Sequence, residues 1–247
     1  MEWFEDENFW RDLYPFMFPD SRMEKAEEDS DSLIELTGIT DGDVLDLCCG
    51  PGRFSIAMAR RNFTVTGVDR TEYLLEMARR RASLEDLSVE WVLEDMHSFI
   101  RPDSFDLTIC MFTSFGYFEK HERNMKVLHN IRDSLRQGGK LVLELMGKEV
   151  LASIFSPIST DELENGTLLV QKHRIEDGWR KIHNEWLIIE DDRVKNRWKF
   201  SHWLYSAAEL EDMLQVAGFS ELQIYGNIHG MPYDSDATRL VAVAAAE

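Results

Sequence analysis

A short glycine-containing loop is the first place in the chain where residue types and spacing could hold a ligand. The segment Asp46–Gly52 reads DLCCGPG, lies at the end of an apolar run, and is followed directly by a helical pattern. Glycines in such a loop allow a tight turn and a close approach of the backbone to a ligand. Asp69 ends the next apolar run, 19 residues after Gly50. A carboxylate at that position can accept hydrogen bonds from both ribose hydroxyls of an adenosine ligand.

Three features separate this loop from other nucleotide-binding loops. A dinucleotide fingerprint continues G-x-G-x-x-G, because a third glycine lets the helix pack closely on the strand, and that position is Ser55 here. Asp46 lies inside the apolar run, four residues before Gly50. A carboxylate there suits a ligand with an ammonium and a sulfonium, whereas it repels a pyrophosphate. No G-K-[ST] follows the glycines, which argues against a Walker loop.

The segments around these residues alternate between predicted strands and predicted helices. Short apolar runs predict strands at 44–49, 64–69, 88–95, 105–112, 140–146, 221–226 and 239–246. Helical spacing, with caps and glycine stops, predicts helices at 53–61, 72–82, 123–139 and 206–218. This alternation predicts a parallel sheet with helices on both faces, and a pocket at the carboxyl ends of its strands.

Residues 148–205 interrupt that alternation. Runs at 167–176, 181–191 and 194–206 predict three strands joined by the turn-like segments DGW and DDR, which should pair antiparallel because no long helix separates them. We therefore predict an α/β fold, with a Rossmann-like, doubly wound, seven-stranded, mostly parallel sheet and a small antiparallel β insert after strand five.

The predicted organisation has three parts. An aromatic-rich helical segment spans 1–35, a ligand-binding domain spans 36–147 and 206–247, and the insert spans 148–205. We expect the insert to cover a substrate. Three interpretations of the N-terminal segment stay open, because its aromatic residues could form a lid, a core helix or a dimer contact.

The motifs, in this order, resemble those of class I S-adenosylmethionine-dependent methyltransferases. The matching positions are Asp46–Gly52 against D-x-x-x-G-x-G, Asp69 after strand two, Glu94–Met96 after strand three, the strand-four run through Phe112, Gly138–Gly139 before strand five, and the tail segments AELEDMLQVAGF and RLVAVAA. The likeness covers roughly residues 43–146 and 200–246. It implies the cofactor S-adenosylmethionine and the product S-adenosylhomocysteine.

The resemblance also implies roles for individual residues. Gly50 and Gly52 would border the methionine part of the cofactor, with Asp46 near its amino group. Asp69 would hold the ribose, and Asp95 would meet the adenine amino group. The predicted cofactor-binding residues are Asp46, Cys48, Gly50, Gly52, Asp69, Arg70, Asp95, Met96 and Met111.

The acceptor is less well defined by the sequence. Strand four runs into MFTSFGYF (111–118), without the [N/D/S]-P-P-[Y/F/W] motif of amino methyltransferases that act on nucleic-acid bases, and the double-glutamate loop of protein arginine methyltransferases is not evident. The segment, with an antiparallel insert after strand five, is similar to small-molecule methyltransferases such as the amino-sugar N-methyltransferases. We expect methyl transfer to N or O of a small molecule. The alternatives are a protein methyltransferase and a non-catalytic protein that binds S-adenosylmethionine.

Catalytic residues are only weakly indicated. Tyr14 and Tyr117 could orient a nucleophile or line the pocket, or could simply pack among aromatic residues. His121, just after the 111–118 loop, could be a general base or a solvent-facing histidine near a helix start. No cluster with metal-ligand spacing occurs in the sequence, so no metal is predicted.

Composition restricts the choice of partners. The net charge of −19 disfavours nucleic acid, because binding a phosphate backbone requires a basic surface. The three cysteines, Cys48, Cys49 and Cys110, lack metal spacing and are typical of buried, reduced thiols. No run approaches the length of a membrane span and the N-terminus has no basic signal region. We therefore expect a cytoplasmic protein, as a monomer or homodimer, with a small-molecule substrate and no membrane partner.

Overall fold

A computed structural model of the chain describes residues 3–247. Its helices are a short 3-10 helix (Trp3–Glu5), α1 (Glu7–Met17), α2 (Asp20–Glu24), α3 (Ala26–Thr37), α4 (Arg53–Arg60), α5 (Glu72–Leu84), α6 (His121–Ser134), α7 (Lys148–Ile154) and α8 (Ala207–Val216). Its strands are β1 (Asp43–Leu47), β2 (Thr64–Asp69), β3 (Glu90–Leu93), β4 (Phe105–Cys110), β5 (Leu135–Leu145), β6 (Ile158–Glu162), β7 (Leu168–Glu176), β8 (Lys181–Glu190), β9 (Arg193–Trp203), β10 (Phe219–Tyr225) and β11 (Leu240–Ala246). Of the predicted N-terminal segment 1–35, residues 1–2 lie outside the described part of the chain.

The larger sheet has seven strands in the order β10-β11-β5-β4-β1-β2-β3. Neighbouring strands pair parallel across the part of the sheet formed by β5, β4, β1, β2 and β3. Strand β11 pairs antiparallel with both β5 and β10. The order reverses at β1, so β1 and β4 are neighbours whose connections leave in opposite directions, and a crevice opens at their carboxyl ends. The predicted Rossmann-like, mostly parallel sheet is confirmed.

The core of this domain lies on both faces of the sheet, because neighbouring residues of a strand point to opposite sides. On β5, Leu143 packs with α6 and α8, and Val142 packs on the other face with α3 and α4. Both residues are fully buried. Such two-sided burial explains why these strands read as continuous apolar runs in the sequence.

Helix α8 begins as the sequence predicts. The Ser206 side chain accepts a hydrogen bond from the Glu209 amide at 3.2 Å, and the Glu209 carboxylate accepts one from the Ser206 amide at 2.8 Å. Gly218, with φ +89°, follows the end of the helix. This reciprocal cap satisfies amide groups that would otherwise lack partners.

The predicted helix 123–139 is wrong at its C-terminal end. Helix α6 ends at Ser134, and the chain enters β5 at Leu135 without an intervening loop. Arg136 holds this turn, since its guanidinium donates to Asp106 at 2.6 Å and to Asp43 at 2.8 Å. The glycines that suggested a helix stop therefore belong to a strand that pairs, with one irregularity, along β4.

The insert is an antiparallel sheet in the order β6-β7-β8-β9, so the antiparallel β insert predicted after strand five is confirmed. It has four strands rather than three, because β6 was not predicted. This edge strand reads ISTDE, is mostly exposed, and lacks an apolar alternation, which is typical of short, polar edge strands.

Helix α1 packs between the insert and the larger domain. Phe9 and Leu13 on α1 are almost completely buried and form one cluster with Leu169, Ile188 and Phe200 of the insert. The Trp198 indole donates to the Asp6 carboxylate, which also caps α1. Among residues 3–247, no helix is long and apolar enough to cross a membrane.

Candidate functional site

The loop after β1 adopts a conformation that few side chains tolerate. Cys48, Gly50 and Gly52 all have positive φ, at 63°, 55° and 79°. For Cys48 this left-handed backbone is strained, and the neighbouring strand holds the loop, since the Cys49 amide donates to the Val68 carbonyl at 3.0 Å. A Cβ at Gly52 would lie 2.8 Å from the Trp91 ring, so glycine is required there for packing as well as for backbone conformation.

Asp69 joins this loop to the end of β2. Its carboxylate accepts the Gly50 amide at 2.9 Å and the Thr71 amide at 2.8 Å. Asp69 is buried, and burial raises its pKa against the opposing effect of these two donors. It lines the large cavity described below, and each carboxylate oxygen has a second lone pair that can accept a hydroxyl.

Asp46 lies deeper in the same region and is only 3% exposed. Ser55 donates its hydroxyl to Asp46 at 2.6 Å. Burial raises the pKa of Asp46 to about 6, in spite of this hydrogen bond. The structure thus gives Ser55 a function at the position of the missing third glycine, because its hydroxyl satisfies a buried carboxylate.

A third carboxylate lies at the end of β3. Asp95 accepts the His97 amide at 2.8 Å and pairs with Arg70 at 2.9 Å. The same guanidinium pairs with Glu5 at 2.9 Å and lies 4.5 Å from the Phe4 ring centre. Arg70 therefore links the predicted adenine residue to the N-terminal segment. Met96, next in the chain, lies 3.7 Å from the Cys48 thiol, measured between sulfurs.

The carboxyl end of β4 presents an unusual backbone. Phe112 and Thr113 both have positive φ, at 56° and 59°, which is costly for residues of their size. Hydrogen bonds to β5 hold this turn, since the Thr113 amide donates to the Glu144 carbonyl at 3.0 Å and the Thr113 hydroxyl accepts the Met146 amide at 2.9 Å. The turn leaves the Phe112 ring 45% exposed, whereas Met111 before it is buried against the cavity.

Arg53 is a candidate site residue that the sequence reasoning missed. Its guanidinium lies 3.3 Å from the centre of the Phe112 ring and donates a long hydrogen bond, 3.4 Å, to the Arg22 carbonyl. No ion pair with a carboxylate forms at Arg53 within residues 3–247. Burial lowers the pKa of Arg53 to about 10, which leaves it charged near neutral pH.

The position of Arg53 at the start of a helix is a feature of the sequence that indicates a bound anion. Arg53 is the first residue of α4, and that end of a helix carries partial positive charge. A cation there is unfavourable unless an anion offsets it. A carboxylate bound beside Gly52 would meet both the guanidinium and the helix N-terminus.

The three predicted catalytic candidates lie in different places. Tyr117 lines the cavity, with its ring 5.1 Å from Trp3 and 4.9 Å from His202, and burial raises its pKa well above the usual value. Tyr14 packs on Tyr73 and does not line the cavity. His121 begins α6 against Trp203 and also lies outside the cavity lining. The fold therefore brings Tyr117, but neither of the others, to the cavity.

These groups share one cavity of about 800 Å³. One wall is formed by the carboxyl ends of β1, β2, β3 and β4, and the facing walls come from the N-terminal segment and the insert. Of the predicted cofactor-binding residues, the cavity is lined by Asp46, Cys48, Gly50, Asp69, Arg70, Asp95, Met96 and Met111. Its volume falls in the range of small-molecule sites.

The sequence matches a family described as methyltransferase domain over residues 44–139. One relative is the putative methyltransferase YqeM of Bacillus subtilis, 26% identical over 183 residues that cover 72% of this chain and 73% of the relative. Another is the mitochondrial ubiquinone biosynthesis O-methyltransferase of Schizosaccharomyces pombe, 26% identical over 165 residues. That match covers 65% of this chain but 54% of the relative, so the chain spans about half of that enzyme.

Solved structures share the fold over nearly the whole chain. An S-adenosylmethionine-dependent methyltransferase from Clostridium acetobutylicum has a TM-score of 0.79 at 15% identity, covering 97% of this chain and 98% of the other. A sugar N-methyltransferase from a Streptoalloteichus species has a TM-score of 0.74 at 17% identity, covering 95% and 92%. The chain thus carries a methyltransferase domain over residues 44–139, and its fold is that of S-adenosylmethionine-dependent methyltransferases. S-adenosylmethionine is the cofactor of the solved methyltransferases of this fold.

The residues present fit that cofactor. The glycine loop offers a close backbone approach, and Asp69 has unused lone pairs for ribose hydroxyls. Asp46 is a buried acid suited to an ammonium. Arg53 is an unpaired, shielded cation suited to a carboxylate, within the described residues. The ammonium and carboxylate of the amino-acid part would thus meet groups of opposite charge, and the ribose hydroxyls would meet a hydrogen-bond acceptor.

Proposed function

We propose that this methyltransferase transfers a methyl group to a nitrogen or oxygen atom of a small molecule. The observation that carries the proposal is the shared cavity. The groups suited to the cofactor form one wall, whereas Trp3, Trp186 and Phe200 form another. An acceptor between these walls would lie beside the cofactor and away from bulk water, which favours in-line transfer.

When bound, the cofactor would supply an electrophilic methyl group for transfer to a lone pair of the acceptor, which loses its proton. The protein aligns the reactants. Gly50, Asp69 and Arg53 hold the cofactor in this proposal, and Tyr117 orients the acceptor. Its raised pKa keeps the Tyr117 hydroxyl protonated near neutral pH, so it serves as a hydrogen-bonding group rather than as a base.

We also propose that the N-terminal segment and the insert act as covers for the acceptor. The Phe18 ring lies 3.6 Å from the position a Cβ would take on Gly50, so the N-terminal segment reaches the cofactor loop. The insert supports that segment through the cluster around Phe9. The lid interpretation of the N-terminal aromatic residues is thereby favoured over a dimer contact.

The test has two stages. Calorimetric titration with S-adenosylmethionine, S-adenosylhomocysteine and, as control, NAD should show micromolar binding of the two sulfur ligands and none of NAD. Cell extract is then incubated with the protein and cofactor labelled in its methyl group, and separated by ultrafiltration. The label should appear in the small-molecule fraction. Label confined to proteins would establish the protein methyltransferase alternative, and binding without any transfer would establish the non-catalytic one.

A further inference from the structure

The part of the cavity farthest from the sheet is lined by aromatic and aliphatic side chains. We name this part the insert chamber, and its walls are Trp3, Phe9, Trp10, Leu169, Trp186 and Phe200. Trp3 stacks on Phe200 with ring centres 4.5 Å apart and planes inclined by 27°. Phe9 and Trp186 are also stacked, at 6.0 Å and 20°. Because Phe9, Leu169 and Phe200 are 9% exposed or less, the free surface of the chamber comes mainly from Trp3, Trp10 and Trp186, which belong to two separate segments of the chain.

Two polar groups at this chamber lack partners among residues 3–247. The Trp186 indole N–H is buried and has no acceptor. The Tyr117 hydroxyl, beside Trp3, makes no hydrogen bond to the described residues and lies against the cavity. A third polar side chain, Gln171, already accepts the Ser159 hydroxyl at 3.2 Å. A buried N–H without a partner is costly, and a ligand oxygen at this place would remove that cost.

The open side of the chamber is acidic. Asp161 and Glu162 of β6 line the cavity and are exposed, and Asp161 pairs across the strands with Leu169. The cations that line the cavity are Arg22, Lys25, Arg53, Arg70 and Arg239, and none of them is a wall residue of the chamber. The chamber thus presents no cation to an acceptor from its own walls.

We propose that the acceptor is a planar aromatic molecule with a hydroxyl or amino group, bound by stacking in the insert chamber and read by the Trp186 N–H and the Tyr117 hydroxyl. This inference rests on the proposed function. Aromatic rings gain from offset stacking beyond the area they bury. A sugar carries a hydroxyl on almost every carbon, and those that face the aromatic and aliphatic walls, away from Asp161, Glu162 and Gln171, would lack partners at a large cost.

The protonation states of an aromatic amine and of the Tyr117 hydroxyl are compatible with methyl transfer to that amine. An aromatic amine has an unprotonated nitrogen at neutral pH, so its lone pair is available to bond to the methyl carbon as the carbon–sulfur electron pair returns to sulfur. Its proton then passes to water at the open side. An alkyl ammonium would first have to give a proton to a base, and Tyr117 keeps its own proton.

The test compares acceptor classes on the full chain. Protein saturated with S-adenosylhomocysteine is titrated by calorimetry with 2-naphthol, 3-aminophenol and glucosamine, and methyl transfer from S-adenosylmethionine to each is followed by mass spectrometry. Both aromatic compounds should bind, and the amino group of 3-aminophenol should accept the methyl group, whereas glucosamine should do neither. Trp186→Phe keeps the ring but removes the N–H, and should weaken 2-naphthol binding roughly three- to tenfold. Trp179→Phe is the matched control, because Trp179 packs on Phe155 outside the cavity.

Each adverse outcome has a distinct meaning. Absence of binding to S-adenosylhomocysteine would overturn the proposed function. Normal binding of that ligand, combined with methylation of glucosamine and none of the aromatic compounds, would overturn the aromatic-acceptor proposal alone. Failure of all three compounds to bind the saturated protein would also overturn it. An unchanged 2-naphthol affinity in Trp186→Phe would remove the role given to the indole N–H.

Discussion

Asp69 accepts the backbone amide hydrogen of Gly50 at 2.9 Å. The carboxylate at the end of β2 therefore fixes the loop after β1, in addition to the role in ribose binding that we propose for it. Loop and carboxylate come from neighbouring parallel strands, whose carboxyl ends meet at the same edge of the sheet.

The first prediction concerns this carboxylate. Asp69→Asn should weaken S-adenosylhomocysteine binding roughly 10- to 100-fold, because hydrogen bonds to a charged acceptor contribute the most. Calorimetric titration measures the change. Asp43→Asn, at the opposite end of β1 and paired with Arg136, is the matched control and should bind like the wild type. Equal affinities for Asp69→Asn and the wild type would exclude the ribose role.

The second prediction concerns Arg53. Arg53→Gln should weaken S-adenosylhomocysteine binding roughly tenfold, since it removes the unpaired cation proposed to meet the amino-acid carboxylate. Binding of 5′-methylthioadenosine, which lacks that carboxylate, should not change. Arg79→Gln on the surface of α5 serves as the control. Equal losses for both ligands would show that Arg53 only supports the loop.

The third prediction is a pH dependence. Burial raises the pKa of Asp46 to about 6, so this carboxyl is neutral below that pH and charged above it. If the cofactor ammonium binds the charged form, affinity for S-adenosylhomocysteine should rise from about pH 5 to about pH 7 and then level off, with proton release on binding near pH 6. Calorimetry in two buffers of different ionisation enthalpy measures both effects.

Two variants control that experiment. Asp46→Asn should bind S-adenosylhomocysteine more weakly, and its affinity should no longer rise between about pH 5 and about pH 7. Asp106→Asn changes a carboxylate at the other end of the sheet, paired with Arg136, and should keep the rise. A rise that survives in Asp46→Asn would assign the titration to another group.

The fourth prediction separates two costs of replacing a glycine. Gly52 and Gly138 have the same φ of +79°, but a Cβ at Gly52 would meet Trp91 at 2.8 Å, whereas a Cβ at Gly138 would meet nothing within 4 Å. Gly138→Ala should lower the free energy of unfolding by about 1–2 kcal/mol from backbone strain alone. Gly52→Ala should lose about 1–3 kcal/mol more, through overpacking. Urea denaturation measures both, and equal losses would show that Trp91 moves aside freely.

The sequence predicted the parts of the structure that local patterns determine. Strands buried on both faces, such as β1 and β11, are continuous apolar runs, and the cap of α8 is written in Ser206 and Glu209. The boundary between α6 and β5 was not predictable from local pattern, because it depends on Arg136 reaching Asp43 and Asp106. Strand β6 was missed because its edge position requires no apolar alternation.

The candidate site was also predicted only where local sequence patterns determine it. Asp69 was predicted because it ends the strand after the glycine loop, and Asp46 because it lies inside the strand that leads into that loop. Asp95 was predicted from the family resemblance. Their roles toward the cofactor remain predictions. The unpaired state of Arg53 and the placement of Tyr117, rather than Tyr14 or His121, at the cavity depend on how the N-terminal segment and the insert pack. No spacing in the sequence specifies that packing.

The Asp95–Arg70–Glu5 bridge has a consequence for the order of events in turnover. A ligand that donates a hydrogen bond to Asp95 weakens the ion pair between Asp95 and Arg70, and thereby changes how strongly Arg70 holds Glu5 and the ring of Phe4. Binding of a ligand at Asp95 and docking of the N-terminal segment are therefore thermodynamically linked. Because such linkage is reciprocal, any change that loosens the segment alters the retention of substrate-form and product-form cofactor alike.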